Sequence, residues 1–127
     1  TARDWSSAED FVNGMSLLAE NNKIGPFIFA SGELTSLRHF IEVACESSGF
    51  DVCFEGKDIN EKVIDKKSGK IICKVSEKYF RISDTKGKVG SSKKLKLETN
   101  WIPKYSIEDL VRKMVQTDYK RKLNEQK

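Results

Sequence analysis

The chain opens with TARDWSSAEDFVNGM, residues 1–15, and the reading of this stretch sets the rest of the fold. Ala8, Phe11, Val12 and Met15 recur at intervals of three and four, continued by Leu18 and Ala19, so the spacing predicts a helix over residues 7–20 with one buried face. Arg3, Asp4 and Trp5 stand directly ahead of it. From the residues alone, Arg3 reads as a local ion pair with Asp4 or Asp10 at the helix start.

Working outward, Asn21 to Pro26 breaks the helix, and the short apolar run Phe27-Ile28-Phe29-Ala30 predicts a strand covered on both faces. Leu34, Leu37, Phe40, Ile41, Ala44 and Cys45 mark a second helix, capped by Thr35 or Ser36 and ended by Gly49. Asp51 to Phe54 reads as a strand, and the charged stretch Glu55 to Gly69 as a surface loop. Lys70 to Tyr79 places Ile71, Cys73 and Val75 on one side, as in a strand with one solvated face. A loop over residues 82–90 and a short helix from Ser91 or Ser92 to Glu98 follow. The last helix starts at Ser106, with a capping box to Asp109, a stripe of Ile107, Leu110, Val111, Met114 and Val115, and Lys120-Arg121-Lys122 where cations suit the dipole. The expectation is a small mixed α/β unit, a single domain over residues 1–127 without an internal repeat.

At 127 residues and 38% hydrophobic, the chain suffices for one core. Its apolar runs fall far below the roughly 18 residues a membrane helix needs, and no basic-then-apolar leader precedes them. Cys45, Cys53 and Cys73 form no CxxC pair and read as reduced thiols of a cytoplasmic protein. Residues 1–56 carry 3 Lys/Arg against 9 Asp/Glu, and residues 57–127 carry 20 against 10. The basic second half reads as a solvated lysine-rich surface or as a face for an anionic partner such as RNA. The lysines are not interleaved with aromatics, which favours the former. No reaction centre stands out. His39 has no second ligand or triad partner at the right spacing, and there is no metal-ligand cluster, G-x-G-x-x-G turn, phosphate loop or Tyr-x-x-x-Lys pair.

Four ordered stretches resemble the carboxyl-terminal portion of the GDP-mannose 4,6-dehydratase family, within the extended short-chain dehydrogenase/reductases. They are Arg3-Asp4-Trp5 through Val12, Ala30-Ser31-Gly32-Glu33 through Phe40, Tyr79-Phe80-Arg81-Ile82-Ser83-Asp84, and Trp101-Ile102-Pro103. They are similar to the family's RDW-x-x-A-x-D-[YF]-V, A-T-G-E-x-x-S-V-R-x-F, Y-[FY]-R-P-x-E and W-x-P patterns. The run from Arg81 to Ser91 departs from the family: it lacks the proline, carries Asp84 where the family has Glu, and puts lysine and glycine at apolar positions.

The resemblance implies a substrate-binding portion that lacks the Rossmann half of the enzyme. Arg3 and Arg81 are then the diphosphate clamp of a GDP sugar, and Asp84 the ribose contact. The family is an NADP-dependent lyase that converts GDP-mannose to GDP-4-keto-6-deoxymannose, with its Tyr-Lys pair and elimination glutamate in the amino-terminal half. The expectation is a chain not catalytic alone, a fragment or separate piece of a longer enzyme. NADP is held by the missing half, and the partners are that Rossmann half and a second copy in a homo-oligomer. The alternative is a non-catalytic binding or scaffold module derived from the family.

Overall fold

A computed structural model of the chain describes residues 1–82 and 87–125. Helix α1 (Ala8–Glu20) begins at Ser7, whose hydroxyl accepts the Glu9 amide at 3.2 Å. Glu9 and Asp10 occupy its first turn, where the free amides favour negative charge. Ahead of it, β1 (Ala2–Arg3) pairs antiparallel with β2 (Thr35–Ser36), placing Arg3 opposite Thr35. Helix α2 (Leu37–Ser47) follows directly, capped by Ser36 Oγ on the His39 amide at 3.1 Å. The Leu37 amide also donates to the Thr1 carbonyl at 3.0 Å, tying the start of α2 to the first residue.

Strands β3 (Val52–Glu55), β4 (Lys62–Asp65) and β5 (Ile71–Lys74) form an antiparallel sheet in the order β3-β4-β5. Val52 and Val63 bury with Cys45 of α2, and Ile41 and Phe54 close around them. The central place of β4 corrects the reading of Glu55 to Gly69 as a loop. Only two of its four residues are apolar, Val63 and Ile64, and they point to opposite faces, so no alternation is visible in the sequence. Hydrogen bonding from both sides makes the strand. β5 is shorter than the predicted stretch from Lys70 to Tyr79: after Lys74 one more bond, from the Val75 amide to the Glu61 carbonyl at 3.0 Å, follows before the chain makes a 3-10 turn at Glu77–Tyr79.

The run from Phe27 to Ala30 is not a strand, and among the described residues its backbone has no hydrogen-bonding partner in a ladder. Its rings serve packing instead. Phe29 lies edge-on to Trp101 with centroids 5.6 Å apart and tilted against Phe11 at 5.5 Å. It sits so close over Gly14 that a Cβ there would collide with its ring. Ala30 is buried, but Ile28 is 58% exposed, so the segment is covered on one side only.

Helix α3 (Lys93–Thr99) ends at Asn100, whose φ of +57° is left-handed, and α4 (Ile107–Glu125) completes the fold. Ser106 Oγ accepts the Asp109 amide at 3.1 Å and donates to the Asp109 carboxylate at 2.8 Å, so the predicted cap forms. α4 packs along α2, and His39 Nε2 meets Glu108 Oε1 at 2.8 Å across that contact. This hydrogen bond ties α2 to α4 and holds the Glu108 carboxyl below the ordinary range. The described residues make a small mixed α/β unit with four helices and two antiparallel sheets.

Candidate functional site

Asp4 organises the ground beside Arg3. Its carboxylate accepts the Ser31 amide at 2.9 Å, the Gly32 amide at 3.2 Å, the Gly90 amide at 3.0 Å, and the Ser31 hydroxyl. Burial alone raises its pKa, but these four donors outweigh that and leave the carboxyl below its ordinary value. Asp10, 1% exposed, is also committed: its carboxylate accepts the Lys104 and Tyr105 amides at 3.1 and 3.3 Å, and its carbonyl takes the Trp101 indole N–H at 2.9 Å. The carboxylates of Asp4 and Asp10 are thus held mainly by backbone amides, while that of Glu9 is held by Lys113 and Tyr105. Arg3 Nη1 donates to the Ala2 carbonyl at 2.9 Å.

The Asp4 contacts draw the chain after residue 86 back to its beginning. Gly90 presses against Ala30 so closely that a Cβ would overlap that side chain, and Gly87 approaches the Ala2 carbonyl and Leu34. The glycines at this departure from the family pattern fit where the backbone passes close to its neighbours.

Arg3 and Arg81 line the same groove, a cavity of about 1030 Å³ between β1, the start of α2, the β3-β4-β5 sheet and the turn at Glu77–Tyr79. Among the described residues its wall carries five cations, Arg3, Arg38, Lys57, Lys74 and Arg81, against two carboxylates, Asp58 and Glu61. The rings of Phe54, Tyr79 and Phe80 also line it, with aliphatic side chains such as Leu37, Ile41 and Val63. A cationic, ring-lined concavity of this size suits an anionic ligand with a planar part. Asp84 lies outside the described residues.

Arg38, to which the resemblance gives no ligand contact, belongs to the groove as well. It is in the first turn of α2 and lines the groove, with Nε 2.6 Å from Glu61 Oε1 and its guanidinium 5.7 Å from the centre of the Phe54 ring. Lys57, Lys74 and Asp58 were not singled out either. Their convergence depends on strand pairing between residues 52 and 74, where the sequence shows no unbroken pattern. The tryptophans are structural: Trp5 Nε1 donates to the Thr35 carbonyl at 3.3 Å, and Trp101 is 3% exposed. Among the described residues there is no cluster of three metal-ligating side chains, and no helix is long and apolar enough to cross a membrane.

The family model for GDP-mannose 4,6 dehydratase matches residues 1–114. The chain is 37% identical over 116 residues to the GDP-mannose 4,6 dehydratase of Cricetulus griseus, covering 91% of this chain and 31% of that protein. To the Homo sapiens GDP-mannose 4,6 dehydratase the identity is 36%, with the same coverage of 91% and 31%. To the GDP-mannose 4,6-dehydratase of Sinorhizobium fredii it is 33%, over 91% of this chain and 33% of the relative. The chain thus spans about a third of the length of these relatives. With the model matched across nearly the whole chain, it belongs to the GDP-mannose 4,6-dehydratase family.

Proposed function

We propose that this chain, residues 1–127 as a single domain, supplies the nucleotide-sugar-binding part of a GDP-mannose 4,6-dehydratase-like lyase that works in the cytoplasm. The observation that carries the reading is the meeting of Arg3 and Arg81, distant in sequence, in the wall of one cationic groove. Two guanidiniums balance a diphosphate and offer it paired, charge-assisted hydrogen bonds. Asp84 then takes the ribose hydroxyls.

The family implies NADP, and the residues present do not fit it. A dinucleotide pyrophosphate is cradled by a Gly-rich turn between a parallel strand and a helix. The sequence has no G-x-G-x-x-G, and both sheets of the described residues are antiparallel. The groove binds the substrate, while hydride transfer and elimination belong to a Rossmann half with which this chain associates, in a homo-oligomer.

Calorimetric titration of GDP-mannose into the chain tests the reading. Saturable one-site binding that inorganic pyrophosphate displaces is expected. Absence of binding, or binding that pyrophosphate leaves untouched, contradicts it.

A further inference from the structure

One carboxylate in the cationic groove has no cation to answer it. Glu61 is held by Arg38 at 2.6 Å. The Asp58 side chain, in the same wall, has no hydrogen bond or ion pair among the described residues. Its position is also conformationally fixed. Asp58 has a φ of +52°, in the left-handed region that few residues other than glycine enter. Two residues earlier, Gly56 has a φ of +79°, and a Cβ there would run into the Asn60 carbonyl oxygen. The turn between β3 and β4 is folded tightly and presents a bare carboxylate to a groove otherwise suited to phosphate.

A carboxylate and a diphosphate repel, so Asp58 must face a part of the ligand that donates hydrogen bonds. Phe54, Tyr79 and Phe80 line the groove; Arg38 lies over the Phe54 ring and Lys78 over the Tyr79 ring, so of the three it is Phe80 against which a base can lie. Among the common bases only guanine offers two adjacent donors on one edge, N1–H and the 2-amino group, and a carboxylate accepts both at once. Resting on the nucleotide reading of the groove, we propose that Asp58 is a specificity-determining residue that selects guanine by accepting N1–H and N2–H on its carboxylate.

Changing the base and the residue together tests this. GDP, inosine diphosphate, xanthosine diphosphate and UDP are titrated into the parent chain, Asp58→Asn and Arg81→Ala, with amide spectra checking that each variant is folded. Asparagine tolerates the left-handed conformation, so the turn is kept. The parent should bind GDP about tenfold more tightly than inosine diphosphate, which lacks one donor. It should bind xanthosine diphosphate more weakly still, because a carbonyl then faces the carboxylate. In Asp58→Asn the side-chain amide donates to that carbonyl and its oxygen accepts N1–H, so the order of GDP and xanthosine diphosphate should invert.

If the parent binds all four alike, or Asp58→Asn weakens every ligand equally, Asp58 does not read the base. The clamp reading then survives where Arg81→Ala still weakens all four. Failure of every diphosphate to bind overturns both.

Discussion

Asp4 accepts hydrogen bonds from the turn at Ser31-Gly32 and from Gly90, so replacing it loosens the ground on which Arg3 stands. Asp4→Asn turns one acceptor into a donor facing backbone N–H groups and should cost about 1–3 kcal/mol in urea unfolding. The pH dependence follows from the same bonds. The folded pKa of Asp4 lies below its ordinary value of 3.8. The stability Asp4 contributes is therefore complete above that value and is lost as pH falls through the lower, folded one. Asp4→Asn should flatten the acid limb of stability against pH, and an unchanged limb would place the loss elsewhere. Gly14 offers a packing test, since an alanine methyl there meets the Phe29 ring and comes within 2.9 Å of Trp101 Nε1. Gly14→Ala should destabilise by about 1–3 kcal/mol through overpacking, despite the better helix propensity of alanine. A more stable variant would show that the ring stack moves freely.

At the scale of elements, the three longer helices α1, α2 and α4 were legible because each has two agreeing signals, apolar residues at three and four and a capping serine. Ser7, Ser36 and Ser106 all cap as their positions suggest. The strands were less legible. β4 is made by its neighbours on either side and leaves only the pair Val63-Ile64 in the sequence, whereas the apolar run at Phe27 to Ala30 is spent on a ring stack. Amide exchange separates the two: β4 amides bonded into the ladder should exchange slowly, and those of residues 27–30 should exchange quickly. Comparable protection in both segments would contradict the assignment. The groove inherits the same limit. Arg3 and Arg81 were reached through the resemblance, while Arg38 and Asp58 become groove residues only once β3, β4 and β5 are paired.

At the scale of the whole molecule, the described surface keeps much apolar area. Val12 is 63% exposed, Met15 55%, Ile24 96% and Ile28 58%, close in sequence to the unpaired backbone of residues 27–30. Faces of this kind are covered in stable assemblies. The isolated chain should therefore associate with itself or with further polypeptide. Sedimentation of a well-folded monomer at high concentration would contradict that. The charge of the second half bears on the alternative reading: as a solvated surface it should bind RNA weakly, without sequence preference and with a steep loss in salt. Tight binding to one RNA at physiological salt would favour the module instead. The central claim is that Arg3 and Arg81 grip the diphosphate of one bound nucleotide sugar. The most direct measurement is the affinity of parent and Arg81→Ala for GDP-mannose and for guanosine, which lacks phosphate. Arg81→Ala should weaken GDP-mannose by about 1.5–3 kcal/mol, the range for a hydrogen bond to a charged group, and leave guanosine unchanged. Equal losses for both ligands, or no loss for either, would contradict the clamp.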